Sequence, residues 1–224
     1  MIQVIFFDSG NTLVQFDFEL FARELKVLGI DIVMPQFKAA HWEAQKNLGA
    51  WATTIASHAE RCRKANRQWF ETGGIPRDRI EEALELIFEH PEAHRFWSAL
   101  PKETPMALQR LADKGFRLGV ISNSEGKVAQ IMKELRLAHF FETIVDSFLV
   151  GVDKPDPKIF HIGLDRLGVA PAEAMYVGDL YEVDVIGARR AGLTPVLYDP
   201  HNMYPEKSDC RKITSLMELG RVVS

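Results

Sequence analysis

The sequence predicts an α/β protein, a doubly wound parallel sheet with an α-helical domain inserted after the first strand. Three observations carry this. Short, nearly continuous apolar runs stand at the N-terminus and recur between about 105 and 200, as strands covered by helices on both faces require. Amphipathic stretches alternate with them, the pattern of βα units. Between Phe16 and Leu100 the strand signal vanishes and helical spacing replaces it.

In chain order the strands are expected at 2–7, 116–121, 143–145, 174–177 and 195–198. Helices are expected between them at 105–114, 127–135, 157–167 and 182–191. Gly115, Gly168 and Gly192 follow three of these helices and Pro157 opens one, the usual placing of Pro at entry and Gly past exit. The insertion carries helical spacing at 18–28, 36–48, 52–71 and 76–89. Trp42, Trp51, Trp69 and Trp97 fall in or beside it, and large aromatics at such positions read first as bundle core. The 224 residues amount to one and a half domains at about 150 residues each. They divide into an α/β core at 1–15 and 98–224 and a helical cap at 16–97, of small-domain size.

Composition narrows the function classes. Hydrophobic residues make up 46% and charged residues 26%, which excludes a disordered or collagen-like chain. A net charge of −4 carries no signature of a nucleic-acid or anionic-membrane binder. Cys62 and Cys210 stand far apart, outside any Cys-x-x-Cys spacing, and read as buried free thiols of a reducing compartment. The first apolar run stops at Asp8 without a basic leader, unlike a signal peptide or a membrane span, so a cytoplasmic protein is expected. The sequence carries no signal for an oligomeric state.

Chemistry gathers where strands end. The first runs into Asp8-Ser9-Gly10-Asn11-Thr12, the second into Ser122-Asn123-Ser124 and the fourth into Gly178-Asp179. One such Asp or Ser is ordinarily a cap or turn residue. Three together point to one site, because ligands of open parallel sheets bind outside the carboxyl ends of the strands. Asp8 offers a nucleophile or acceptor, Ser122 and Asn123 offer neutral donors, and Lys154 offers a cation held in the stiff Lys154-Pro155-Asp156-Pro157 segment. Asp179 and Asp184 straddle a loop-to-helix junction where both can reach one ion. Carboxylates with room for water suit Mg²⁺, while the donors and Lys154 suit a phosphate. Together they read as phosphoryl transfer through an aspartyl-phosphate.

The ordered motifs Phe-Phe-Asp8…Asn11-Thr12-Leu13, Ile-Ser122-Asn123, Lys154-Pro155-Asp156 and Val-Gly178-Asp179…Asp184 resemble the haloacid dehalogenase (HAD) superfamily. The surrounding segments are similar to its phosphatase-like subfamilies with a helical cap, over about 1–14 and 97–200. The resemblance implies a Rossmann-like core and a Mg²⁺-dependent hydrolase of a small phosphorylated metabolite. It makes Asp8 the covalent nucleophile, Ser122 a ligand of the phosphoryl group and Lys154 the neutralising cation, with Asn123 beside them in the same motif. Thr12 orients the loop, while Asp8, Asp179 and Asp184, with the backbone carbonyl of Gly10, hold the metal.

One position departs from the family. Its phosphatases place a second Asp, the general acid, two residues after the nucleophile, where this chain has Gly10. General acid–base catalysis contributes about 10²–10⁴-fold, so a weak phosphatase, an easily expelled leaving group or an acid from elsewhere is expected. His41 and His58 are candidate donors, although each reads more simply as core or surface. Three alternatives accompany the phosphatase reading. A 2-haloacid dehalogenase would carry Tyr where Phe160 stands. A phosphonatase would need a cap lysine among Lys26, Lys38, Lys46 and Lys64. A phosphate-ligand-binding protein of weak activity is the third.

Overall fold

The computed structural model describes residues 1–55 and 57–222. The chain divides into two compact units, Met1–Gln15 with Leu100–Ser224, and Phe16–Ala99. The second unit therefore runs two residues past the expected limit at 97.

The first unit is built on strands β1 (Val4–Phe7), β2 (Arg117–Ser122), β3 (Thr143–Asp146), β4 (Ala174–Gly178), β5 (Thr194–Tyr198) and β6 (Arg211–Ile213). They form one sheet in the order β3-β2-β1-β4-β5-β6, and every pair is parallel. In β1, Phe7 lies opposite Val120 on one side and Val177 on the other. The chain reverses its direction of travel across the sheet at β1, and ligands of open parallel sheets bind outside the carboxyl ends of the strands at such a point, here those of β1, β2 and β4. All four residues of β1 are fully buried, which explains a run with no polar alternation.

The second unit is helical, with α1 (Phe18–Val27), α2 (Met34–Ala50), α3 (His58–Gly73) and α4 (Ile80–Phe88) joined by short turns. Phe18, Phe21 and Leu25 make the buried stripe of α1, and Asp17 caps it by accepting from the Leu20 N–H at 2.8 Å. Trp69 is buried and donates its indole N–H to the Phe37 carbonyl at 2.8 Å. Trp42, Trp51 and Trp97 are only partly buried, so one of the four indoles, not all, forms bundle core.

The remaining helices belong to the first unit: α5 (Glu103–Asp113), α6 (Val128–Glu134), α7 (Ser147–Val150), α8 (Pro157–Leu167), α9 (Ile186–Arg190) and α10 (Leu219–Val222). Asp156 caps α8 ahead of Pro157, and Gly168 closes it at φ 63°, the entry and exit expected from the sequence. Phe6, Ile121 and Tyr176 of the sheet pack with Ile159, Phe160 and Leu164 of α8 in the core.

Three further expectations are corrected, and one strand is added. The helix expected over 52–71 is broken, because Ser57 takes extended backbone and caps α3 by accepting from Glu60 N–H at 3.2 Å. The helix expected over 182–191 begins as a π turn, Tyr181–Val185, before α9. β6 was not expected, since Arg211-Lys212-Ile213 lacks an apolar run and gains its pairing from β5. Neither Cys62 nor Cys210 is in a disulfide, as expected, but both are half-buried rather than buried. Among the described residues, no helix is long and apolar enough to cross a membrane.

Candidate active site

Asp8 stands one residue beyond β1, and its N–H donates to the Val177 carbonyl of β4 at 2.9 Å. That bond carries the strand geometry one residue on and places Asp8 at the carboxyl ends of β1 and β4. The chain then turns tightly, with the N–H groups of Leu13 and Val14 donating to the Ser9 carbonyl at 2.9 and 3.1 Å. The left-handed residue of this turn is Asn11, at φ 56°, a backbone that Asn tolerates; Gly10 is not among the positive-φ residues. Thr12 is fully buried and donates its hydroxyl to Asp179 Oδ1 at 3.5 Å. Ser122 is the last residue of β2 and is 3% exposed.

Lys154 is the centre of the cluster. Its side chain is 2% exposed, and its ammonium donates to Asp8 Oδ1 at 2.7 Å, Asp184 Oδ1 at 2.8 Å and the Tyr176 hydroxyl at 2.7 Å. Asn123 fixes the backbone of this lysine: its amide N–H donates to the Lys154 carbonyl at 3.0 Å and its Oδ1 accepts the Lys154 N–H at 2.7 Å. Both ends of the Asn123 amide are thus directed at Lys154. The peptide that follows, Lys154–Pro155, is cis.

Burial alone would discharge Lys154, yet the charges of Asp184 and Asp8 outweigh it and hold the ammonium above its ordinary pKa. Asp179 moves the other way for its charge. Burial first, then the Asp184 and Asp8 carboxylates, push its carboxyl well above the usual range. Asp184 is also raised by burial, with Lys154 working against the rise. Tyr176 is held protonated by burial and by the charge of Asp184.

Asp8, Asp179 and Asp184 each offer an oxygen within 4.8 Å of the others. Three carboxylates against one ammonium leave an excess of negative charge that a divalent cation balances. The donor set suits Mg²⁺, a hard ion that prefers carboxylate oxygen and keeps several waters. The most direct sign is Asp179 Oδ2, which is buried with no partner in the protein. Asp184 is the more committed carboxylate, since its Oδ2 already accepts the Leu180 N–H at 2.8 Å. Gly178 is what lets Asp184 turn back to the site, because a Cβ there would overlap the Asp184 carboxyl group.

The structure thus brings Asp8, Thr12, Lys154, Asp179 and Asp184 into direct contact or ligand range, with Ser122 and Gly10 on the same strand-end loops. His41, by contrast, is 1% exposed among Phe16, Phe18 and Trp69, inside the core of the helical unit. His58 lies along α3 with a ring nitrogen 3.3 Å from Cys62 Sγ. None of Lys26, Lys38, Lys46 and Lys64 is buried, whereas a lysine that forms a Schiff base relies on desolvation or a nearby cation. Two site residues escaped sequence reasoning. Tyr176 reads there as an apolar strand residue. Asp146, 3% exposed, accepts from Gly126, Val128 and Phe148 N–H groups at 3.0, 3.2 and 3.1 Å and so fixes the loop behind Ser122.

A family model described as haloacid dehalogenase-like hydrolase matches residues 2–192. The chain belongs to this family. Over 157 residues it is 35% identical to a phosphoserine phosphatase of Thermus thermophilus, covering 66% of this chain and 59% of the relative. Over 208 residues it is 31% identical to a glyceraldehyde 3-phosphate phosphatase of Pyrococcus abyssi, covering 88% and 82%. The chain spans 53% to 59% of the length of several curated relatives it matches. The fold of this HAD protein is similar to that of the magnesium-bound HAD-hydrolase YfnB of Bacillus subtilis, at TM-score 0.75 and 18% identity over 100% of this chain and 99% of the other.

Proposed function

We propose that this HAD protein is a phosphatase of small phosphorylated metabolites that works through an aspartyl-phosphate on Asp8 with Mg²⁺ at Asp8, Asp179 and Asp184. The observation that carries the reading is the buried Lys154 ammonium, 2.7 Å from Asp8 Oδ1, beside the unpartnered Asp179 oxygen. Such a cation prepares a carboxylate to meet a phosphate dianion, which three bare carboxylates would repel. The names of the Thermus and Pyrococcus relatives agree with a phosphate ester as substrate.

In the first half-reaction Asp8 attacks phosphorus, forming the Asp8 O–P bond while the ester P–O bond breaks. Lys154 and the Ser122 hydroxyl hold the non-bridging oxygens, and Asn123 keeps Lys154 in register from behind. When bound, Mg²⁺ supplies a Lewis acid and offsets the carboxylate charge. In the second half-reaction water attacks phosphorus, releasing phosphate and restoring Asp8. Gly10 has no proton to give to the departing oxygen, so the leaving group takes its proton from water or carries low basicity of its own. The insertion of the helical unit into the chain after the Asp8 loop, from Phe16 onward, supports reading it as a cap that sets substrate choice.

Gly10 also favours a second reading, a binder of phosphorylated ligands with little turnover. A panel of phosphate esters, one phosphonate and one 2-haloacid, assayed with Mg²⁺ and with EDTA, separates them. Mg²⁺-dependent phosphate release that disappears in Asp8→Asn is the expected result. Absence of turnover across the panel, with saturable binding of a phosphate ester, supports the binder instead.

A further inference from the structure

The hydrogen-bond pattern around Lys154 leads to a residue outside the motifs. Tyr176 is fully buried on β4, and its ring packs edge-on against Phe160 at 4.9 Å between centroids. Its hydroxyl lies 2.7 Å from the Lys154 ammonium and 2.7 Å from the Ile121 carbonyl on β2. An ammonium only donates, so the phenol oxygen accepts from Lys154 and spends its own proton on Ile121. The ring cannot swing away, because Phe160 blocks it and the hydroxyl is tied to the sheet.

We infer that Tyr176 is a positioning residue, a rigid acceptor that holds the Lys154 ammonium against Asp8. The backbone of Lys154 is set by Asn123, yet four methylenes separate that backbone from the charge. Without a third acceptor the ammonium is free to settle toward Asp184, which also lies within 2.8 Å, and away from the nucleophile. Tyr176 touches neither substrate nor the reacting atoms in this account and acts only through Lys154.

The kinetic part rests on the phosphatase reading, so the test has one arm that does not. In Tyr176→Phe, kcat is expected to fall about 10- to 100-fold, the range for a hydrogen bond to a charged group, with KM within about threefold. In the second arm, melting temperatures of Tyr176→Phe, Lys154→Met and the double variant are compared in EDTA. The two losses are expected to be non-additive, because the second substitution removes a contact already broken. Additive losses overturn the inference whatever the kinetics show. In an active wild type, unchanged kcat in a folded Tyr176→Phe overturns it as well. If the wild type turns over no phosphate ester, the phosphatase reading fails alone and the melting cycle still decides whether Tyr176 holds Lys154.

Discussion

Replacing Lys154 by methionine removes the cation from a cluster of three buried carboxylates while roughly keeping the volume of the stem. Breaking a buried ion pair from one side costs about 3–5 kcal/mol. Here the cost has a ceiling, since the cluster can take up one proton in place of the ammonium. Protonating an ordinary carboxylate costs about 1.36 kcal/mol for each pH unit above its pKa near 3.9, hence about 4 kcal/mol at pH 7 and about 1.5 kcal/mol at pH 5. At about 2–4 °C per kcal/mol, the metal-free variant should melt about 8–16 °C below wild type at pH 7 and about 3–6 °C below it at pH 5. Mg²⁺ should raise the melting temperature of the variant more than that of wild type, because the variant has more negative charge to balance. Differential scanning calorimetry at the two pH values, in EDTA and in Mg²⁺, reads all of these. A loss below about 2 °C at pH 7, or one independent of pH, would refute the placement of Lys154 as the counter-charge of the site.

Other perturbations test the surrounding parts. Asp179 has a raised folded pKa, so the folded state holds a proton that the unfolded state has lost, and metal-free stability declines as pH rises from the ordinary carboxylate range toward that raised value. Asp179→Asn should therefore melt above wild type in EDTA at pH 8, with a margin that shrinks toward pH 5, and should lose most of its response to Mg²⁺; a lower melting temperature at pH 8 contradicts the reading. Asp146→Ala strands three backbone N–H groups and should cost at least about 2 kcal/mol in chemical denaturation. Gly10→Asp should accelerate alkyl phosphates by up to about 10²–10⁴-fold and nitrophenyl phosphate far less. Equal effects on both leaving groups would mean that proton donation is not what Gly10 withholds.

How much of this was legible in the sequence depends on which physical signal each residue leaves. Asp8, Ser122 and Asp179 were readable because a polar residue that ends a buried parallel strand has few other places to go than the crevice. Lys154 was readable from its stiff segment. Tyr176 was not, since its ring fills the core like any apolar strand residue and only the structure shows its hydroxyl beneath Lys154. Asp146 left no signal of its own, being a single polar residue after a short apolar run; it caps α7, and two of its three bonds reach back to the Ser122 loop, 18 to 20 residues away. The break ahead of Ser57 was hidden by unbroken helical spacing, and β6 by its polarity, because its pairing comes from β5. Asn123 was placed by its motif, while its engagement with the Lys154 peptide is visible only in the fold.

The central claim is that the phosphoryl group passes through Asp8. Acid quench of the enzyme during turnover of a phosphate ester with Mg²⁺, followed by mass spectrometry of the peptide containing Asp8, tests it directly. A phosphorylated, base-labile and hydroxylamine-sensitive peptide at Asp8 is expected, absent in Asp8→Asn and in EDTA. Phosphate release at an undiminished rate in Asp8→Asn, with no modified Asp8 peptide in wild type, would contradict it.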